Sequence, residues 1–537
     1  PASPPYVPSY SFFTSAVTAA YQQFPVLLST ARLLALLLCP LLAAACVLHL
    51  LHRGFPVRAA GAATAVGAAC SALLLCDSMY VYEVTALPGI AAACAVAAAS
   101  ARAAGGGGRV ASASLLAALL AAGLRPFFAG THDGPGYPGG VYYHGANGRV
   151  ASIVGRWIGG AGGTAPPGTP LDYDDTGVRT AYAIGGDMRT ALPFLWNGDG
   201  PAVTYERRWI ASADPDDGEP EALALDFSFP QGGHRPDRPL YLVLHGISGG
   251  SDEPFTREFC ARANAVNSTA AVINARGLHD THVRGKNLFH GARIEDTDAA
   301  ARVLRELVGP AGVLAAVGFS MGGIVVSNYV ARSGTDCPLD FAVDVGGGLD
   351  MREQLTFERG RRLWQPFVAE GLREKVLAKT WRRIGDRLGE DGVLQLLRAA
   401  DVQTIDRIGI VAYNSHKFDS IEDYYAQMSA MGDRVPGKND GRIADVAVPL
   451  LVLHALDDPL ITHRTMTGTG GRPGDVVRTG LGNVVLGLTE SGGHIGWPLG
   501  NTPWKEGWKY MNGAAIGFVE AGAAEIAVER EESVGQC

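Results

Sequence analysis

The run Gly318-Phe319-Ser320-Met321-Gly322 constrains this chain more than any other feature. It follows an apolar stretch, Val313 to Val317, and precedes Met321 to Ala331, which reads as a helix. Strand, sharp turn and helix in that order are the setting of the G-x-S-x-G elbow. There the flanking glycines let the backbone fold tightly enough to hold a serine exposed at the top of a sheet. With 70 glycines in 537 residues the pentapeptide alone would carry little weight, and its setting supplies the rest. A serine hydroxyl is a weak nucleophile at neutral pH and needs a base within hydrogen-bond reach. The remainder of the chain must provide one.

A base fits best at His494, in the Gly-flanked loop Glu490 to Trp497 that follows the apolar run Asn483 to Thr489. Its imidazole would take the Ser320 proton and later protonate the leaving group. An acid fits at the end of Leu450 to Ala455, where Asp457-Asp458-Pro459 supplies two adjacent carboxylates. The Asp-Pro arrangement favours Asp458 as the group that fixes the imidazole tautomer, with Asp457 as the alternative and otherwise a turn-former or helix cap. The order Ser320, Asp458, His494 is the order used by α/β-hydrolases. An oxyanion needs two preorganised N–H donors. The residue after the nucleophile, Met321, offers one backbone amide, and Ile247 in the loop Leu244 to Gly250 offers the other. His245 in the same loop is expected to shape it and to transfer no proton.

The flanking pattern suits this reading. Val203 to Tyr205 and Ala222 to Phe229 read as an opening strand pair around the Asp-rich turn Asp214 to Asp217. Pro239 to Leu244, Ala270 to Asn274, Ala311 to Phe319, Val448 to Ala455 and Asn483 to Thr489 are further strands, with helical periodicity over Asp296 to Leu307. Continuous apolar runs alternating with helices predict a doubly wound, mostly parallel α/β sheet buried on both faces. Charged amphipathic helix from Arg352 to Leu397 predicts an inserted helical cap at about 350–430, and Trp504 to Glu529 predicts closing helices. The hydrolase domain is therefore expected at 196–530, preceded by a Gly/Pro-rich connector at 131–195.

Residues 1–130 differ in kind. Through residue 124 the only charged side chains are Arg32, Arg53, Arg58, Asp77, Glu83, Arg102 and Arg109. Leu33 to Leu51, Ala59 to Cys76 and Val84 to Ala101 each approach the length of a bilayer-crossing helix, and Val110 to Leu124 is a weaker fourth candidate. A soluble Ala-rich bundle would need a charged face that is missing here. A membrane-spanning helical region of three or four spans is expected, with the positive-inside rule placing Arg53 and Arg58 on the cytoplasmic side. The chain opens on Pro1 rather than methionine, so no targeting peptide can be read from it.

Composition narrows the partners. A net charge of −8 and a pI of about 5.9 argue against a broad phosphate-binding surface, hence against nucleic acid. The eight cysteines show no CxxC or His/Cys spacing, so neither a structural zinc site nor a disulfide framework is expected. His279 and His282 beside Asp280 lack further ligands at sensible spacing and read as a polar loop. Asn267-Ser268-Thr269 is a glycosylation sequon.

With these residues in view, the chain resembles the YheT-like branch of α/β-hydrolases, which includes membrane-anchored hydrolase-domain lipases of animals. The shared features run from about 189 to 515. They are His245-Gly246-Ile247-Ser248-Gly249-Gly250-Ser251, Asn274-Ala275-Arg276-Gly277, Glu295-Asp296, the elbow with Gly323, Phe418-Asp419 with Tyr424-Tyr425, Asp457-Asp458-Pro459, and Gly492 to Trp497. Ile324 stands where family members often have Asn, and Ala275 where they often have His, departures that touch pocket detail and not the three catalytic positions. The resemblance implies cleavage of carboxylic esters, often acylglycerols or phospholipids, at a membrane and without metal or organic cofactor. Two rival readings use the same residues. An acyltransferase would resolve the acyl-enzyme with an alcohol other than water. A non-catalytic lipid-binding membrane module would have no need of three catalytic groups.

Overall fold

The computed structural model of the chain describes residues 136–159, 171–173, 185–213, 220–283, 285, 287–435, 441–500 and 502–535. The apolar segments between 33 and 124 lie outside them. Among the described residues no helix is long and apolar enough to cross a membrane.

A nine-stranded sheet organises these residues. In chain order its strands are β1 (Gly140–Tyr142), β2 (Glu206–Ala213), β3 (Pro220–Ser228), β4 (Leu240–Leu244), β5 (Thr269–Asn274), β6 (Leu314–Phe319), β7 (Phe341–Val345), β8 (Leu450–Ala455) and β9 (Val484–Thr489). Across the sheet they run β1-β9-β8-β7-β6-β4-β5-β3-β2. The six central strands, β4 to β9, pair in parallel, while β1, β2 and β3 are antiparallel to their neighbours. Strands β4 to β9 are buried throughout, which is why they read as continuous apolar runs. Helices α1 (Gly148–Gly159), α2 (Gly186–Trp196), α3 (Pro254–Ala265), α4 (Glu295–Val308) and α5 (Met321–Ser333) accompany the strands. Between β7 and β8 lie the cap helices, among them α6 (Ala378–Arg398) and α7 (Ile421–Gln427), and α8 (Lys509–Gly535) follows β9. One apolar cluster packs on each face of the sheet.

The topology fixes where a ligand can bind. From β4 the chain steps to β5 on one side and then crosses to β6 on the other. Strand order therefore reverses between β4 and β6, and the crevice beyond the carboxyl ends of those strands is the natural site in such a sheet. His245 leaves β4 there and Ser320 leaves β6.

Three expectations need correction. Residues 131–195 are more than a connector: β1 extends the sheet by pairing with β9, and α1 and α2 pack on the same unit. The opening strand is Glu206–Ala213, where Glu206, Arg207 and Arg208 disguise a solvent-facing edge, while Val203 to Tyr205 is not a strand. β7 escaped notice because Asp344 interrupts its short apolar run.

Buried ion pairs hold the loops at the sheet's carboxyl end. The Arg276 side chain, wholly buried just past β5, donates to both oxygens of Asp296 at 2.9 and 2.5 Å and lies 3.6 Å from Glu221 of β3. Asp296 also accepts from Arg293 at 3.3 Å. Removing one partner of such a cluster leaves uncompensated buried charge. Arg276→Ala is expected to lower stability by about 3–5 kcal/mol in urea denaturation.

Candidate active site

Ser320 follows the last residue of β6 and is held at φ 53° and ψ −117°, a conformation unusual for a residue with a side chain. Such strain costs on the order of 1–3 kcal/mol and persists only where the surroundings enforce it. Its N–H donates to Val345 O at 2.9 Å and its carbonyl accepts the first bond of α5 from Ile324 N–H at 3.1 Å. A Cβ at Gly318 would overlap the Gly322 carbonyl, and one at Gly322 would overlap the Leu244 carbonyl. The glycines thus allow α5 to begin in contact with both β6 and the end of β4.

Ser320 Oγ lies 2.9 Å from His494 Nε2, and His494 Nδ1 lies 2.7 Å from Asp458 Oδ2. All three side chains are buried. A neutral imidazole in this position donates from Nδ1 to the carboxylate and presents Nε2 as acceptor to the serine hydroxyl. The second oxygen of Asp458 accepts from Leu460 and Ile461 N–H, both at 2.8 Å. Burial alone would push this carboxyl up. Electrostatic attraction to His494 and the hydrogen bond from its ring, with smaller help from His454 and the Ile461 amide, outweigh it and hold Asp458 below the ordinary carboxylate range.

Asp457 points elsewhere. It accepts from Gly493 N–H at 2.8 Å and pairs with Arg189 at 3.0 Å. Burial pushes its carboxyl up to about 6 against the pull of that amide and of Arg189. Of the adjacent carboxylates, one orients the imidazole and the other anchors the loop that carries it.

The N–H groups of Ile247 and Met321 have no hydrogen-bond partner among the described residues, and both residues line one cavity. Met321 is the first residue of α5, so its amide is among those an α-helix leaves unsatisfied at its N-terminus. His245 is bound on both sides: Nδ1 donates to Gly246 O at 2.7 Å and Nε2 accepts from Ala275 N–H at 3.1 Å. Burial lowers it to about 4, so it is a neutral strut of the loop. The same cavity runs under the cap, between Leu288 and Gly291 on one side and the π-helical turns Arg373–Leu377 and Asp406–Ala412 on the other.

No family model matches the chain. The putative esterase YheT of Escherichia coli is 28% identical over 322 residues, covering 59% of this chain and 84% of that one. The phospholipase ABHD3 of Mus musculus is 26% identical over 332 residues, covering 60% and 72%. The monoacylglycerol lipase of Saccharomyces cerevisiae is 24% identical over 267 residues, covering 48% and 55%.

The chain is a carboxylic ester hydrolase with the α/β-hydrolase fold, similar to proteins named as esterases and lipases.

Two residues of the hydrolase site were not anticipated, because they come from the stretch read as connector. Thr190 Oγ1 accepts from His494 N–H at 2.7 Å and donates to Gly186 O at 2.7 Å, while Arg189 holds Asp457. Helix α2 therefore props the acid loop and the histidine loop together. The hydrolase also ties this helix to its cap, since Trp364 Nε1 donates to Asp187 at 2.6 Å and Arg359 pairs with the same carboxylate. Only the short apolar run Ala191 to Trp196 could have signalled a helix there, and nothing local identifies its partners.

Behind the elbow, Asp344 accepts from Ser327 Oγ at 2.9 Å and Gly347 N–H at 2.8 Å. Burial pushes its carboxyl up to about 7, with those hydrogen bonds opposing the shift only in part. An unfolded aspartate titrates near about 3.9. Between about pH 4 and 7 the folded chain holds this proton more tightly, so its stabilisation is full below about 4 and is lost as pH rises through 7. The urea midpoint of wild type should fall more between pH 5 and pH 8 than that of Asp344→Asn. The division of labour between the two carboxylates is also testable, by the rate at which a fluorophosphonate labels Ser320. Asp458→Asn should slow labelling by about 10³–10⁴-fold through loss of the correct tautomer, whereas Asp457→Asn should slow it less than about tenfold.

Proposed function

We propose that this hydrolase is a membrane-anchored serine esterase or lipase that cleaves acyl lipids, acylglycerol or phospholipid, through Ser320, His494 and Asp458. The observation that carries the reading is the pair of contacts at 2.9 and 2.7 Å linking a strained serine, an imidazole and a carboxylate. Names borne by relatives, putative esterase, monoacylglycerol lipase and phospholipase, support the substrate class. The apolar lining of the cavity beside Ile247 and Met321 suits a lipophilic chain. The anchor rests on the charge-poor segments 33–51, 59–76 and 84–101.

In this mechanism Ser320 Oγ attacks the ester carbonyl carbon as His494 Nε2 takes the hydroxyl proton, and Asp458 stabilises the imidazolium. The carbonyl oxygen becomes an oxyanion held by the Ile247 and Met321 amides. Collapse expels the alcohol with the proton from His494 and leaves the acyl group on Ser320. Water then adds by the same route, His494 accepting its proton and returning it to Ser320 as the carboxylic acid departs. No step calls for a metal or organic cofactor.

The purified full-length protein should release fatty acid from monoacylglycerol or phosphatidylcholine in mixed micelles, and Ser320→Ala should reduce the rate by at least about 10³-fold. A fluorophosphonate should label wild type and not Ser320→Ala; a folded wild-type protein that resists labelling would sink the hydrolase reading. If an added acceptor alcohol yields a new ester as the dominant product, the acyltransferase reading replaces hydrolysis. When the full chain is expressed in cells, it should stay in the membrane pellet through alkaline extraction.

A further inference from the structure

The cavity under the cap is lined mainly by apolar side chains, yet it contains an imidazole with nothing to bind. His290 is 7% exposed, and neither ring nitrogen has a hydrogen-bond partner among the described residues. Its Nδ1 is shut off from solvent altogether. The ring is wedged edge-on against Phe418 and Tyr424, with centroids 5.4 and 5.9 Å away. The neighbouring Gly291 donates its N–H to Tyr424 Oη at 3.0 Å and lies against the Met321 side chain, so this segment borders the elbow. Burial, reinforced by the charges of Arg293 and Lys417, lowers the imidazole to about 3. It is therefore a neutral ring with one donor and one acceptor.

Leaving such a group unpaired in a buried site is costly, and native interiors nearly always satisfy it. A purely structural role would be served better by phenylalanine, which fits the same aromatic nest without a desolvation cost. A second polar side chain faces the same cavity from the other side. Asp406, on its π-helical turn, receives Tyr425 Oη–H at 2.9 Å on Oδ2, and Oδ1 accepts no bond among the described residues. Two buried polar groups with unused capacity therefore line a mainly apolar space, beside Arg373, Thr380 and Tyr424, that reaches the Ile247 and Met321 amides.

We propose that His290, with Asp406 as its counterpart, forms a hydrogen-bonding subsite that selects esters carrying a further oxygen beyond the scissile ester group. This rests on the esterase reading and deepens it to a substrate feature. The oxygen is a hydroxyl or carbonyl that pairs with the neutral imidazole, and it has two possible sources: a free hydroxyl of a glycerol-type alcohol, or an oxygenated acyl chain. A plain alkyl ester of the same length fills the cavity and leaves both groups unpaired.

Matched pairs distinguish the sources, using the purified full-length protein in mixed micelles. The first pair is 1-octanoylglycerol against propyl octanoate, and the second is ethyl 5-hydroxyoctanoate against ethyl octanoate. Wild type should favour the oxygenated member of one pair by roughly tenfold in kcat/KM, and that pair names the source. His290→Phe should bring the ratio close to one. His290→Gln keeps a donor and an acceptor and should retain part of the preference, which a merely structural role would not predict. Equal kcat/KM within both wild-type pairs overturns the subsite, as does a ratio that His290→Phe leaves unchanged. In either case, turnover of the plain esters and fluorophosphonate labelling at Ser320 leave the esterase reading standing. Absence of both in folded wild type overturns the two together.

Discussion

Helix α5 begins closer to strands β4 and β6 than any side chain at positions 318 or 322 would permit, and the site depends on that approach. It forces Ser320 into a left-handed conformation, sets the free amide of Met321 at the helix N-terminus, and brings the Ile247 loop alongside. A chain that relaxed this contact would relieve the strain at Ser320 and separate the nucleophile from both amides. The elbow persists because the Ser320 N–H is tied to β7 through Val345 and Ser327 of α5 to Asp344 of the same strand. Strained geometry at one residue is thus maintained by ordinary hydrogen bonds at its neighbours.

The acid and base loops follow a similar logic. Neither is anchored by its own strand alone. Asp458 has its second oxygen committed to the turn that follows it, which leaves one oxygen to face His494. Asp457 and Thr190 hold the histidine loop by its backbone, at Gly493 and His494 respectively, so the imidazole position does not rest on the side-chain hydrogen bonds alone. On the far side of that loop, Trp497 and Trp508 donate indole N–H bonds to Thr489 Oγ1 and Ile495 O at 2.9 Å each. In the proposed reaction, preorganisation of this kind would let Ser320 act without first assembling its partners.

How much of this was legible in the sequence depended on how locally each feature is encoded. The elbow, the Asp-Asp-Pro turn and the Gly-Gly-His loop are each short and carry their chemistry within a few residues, so they could be picked out one by one. The central strands were legible because burial on both faces makes them uniformly apolar. The edge strand β2 was obscured by its charges and β7 by Asp344, each of which breaks an apolar pattern for a reason visible only in three dimensions. The choice between Asp457 and Asp458 depends on which way two adjacent side chains turn, and composition does not encode that. Arg189 and Thr190 could not be read as site residues because their partners lie 268 and 304 positions away. His290 was passed over for the opposite reason: its significance lies in bonds it does not make.

The wide spacing of these contacts has a consequence for the order in which the chain is made. Helix α2 precedes Ser320 in the chain, and His494 follows Ser320 by 174 residues. Ser320 is therefore synthesised before the imidazole that its hydroxyl meets. The site closes only when the loop carrying His494 docks against Thr190, 304 residues before it in the chain.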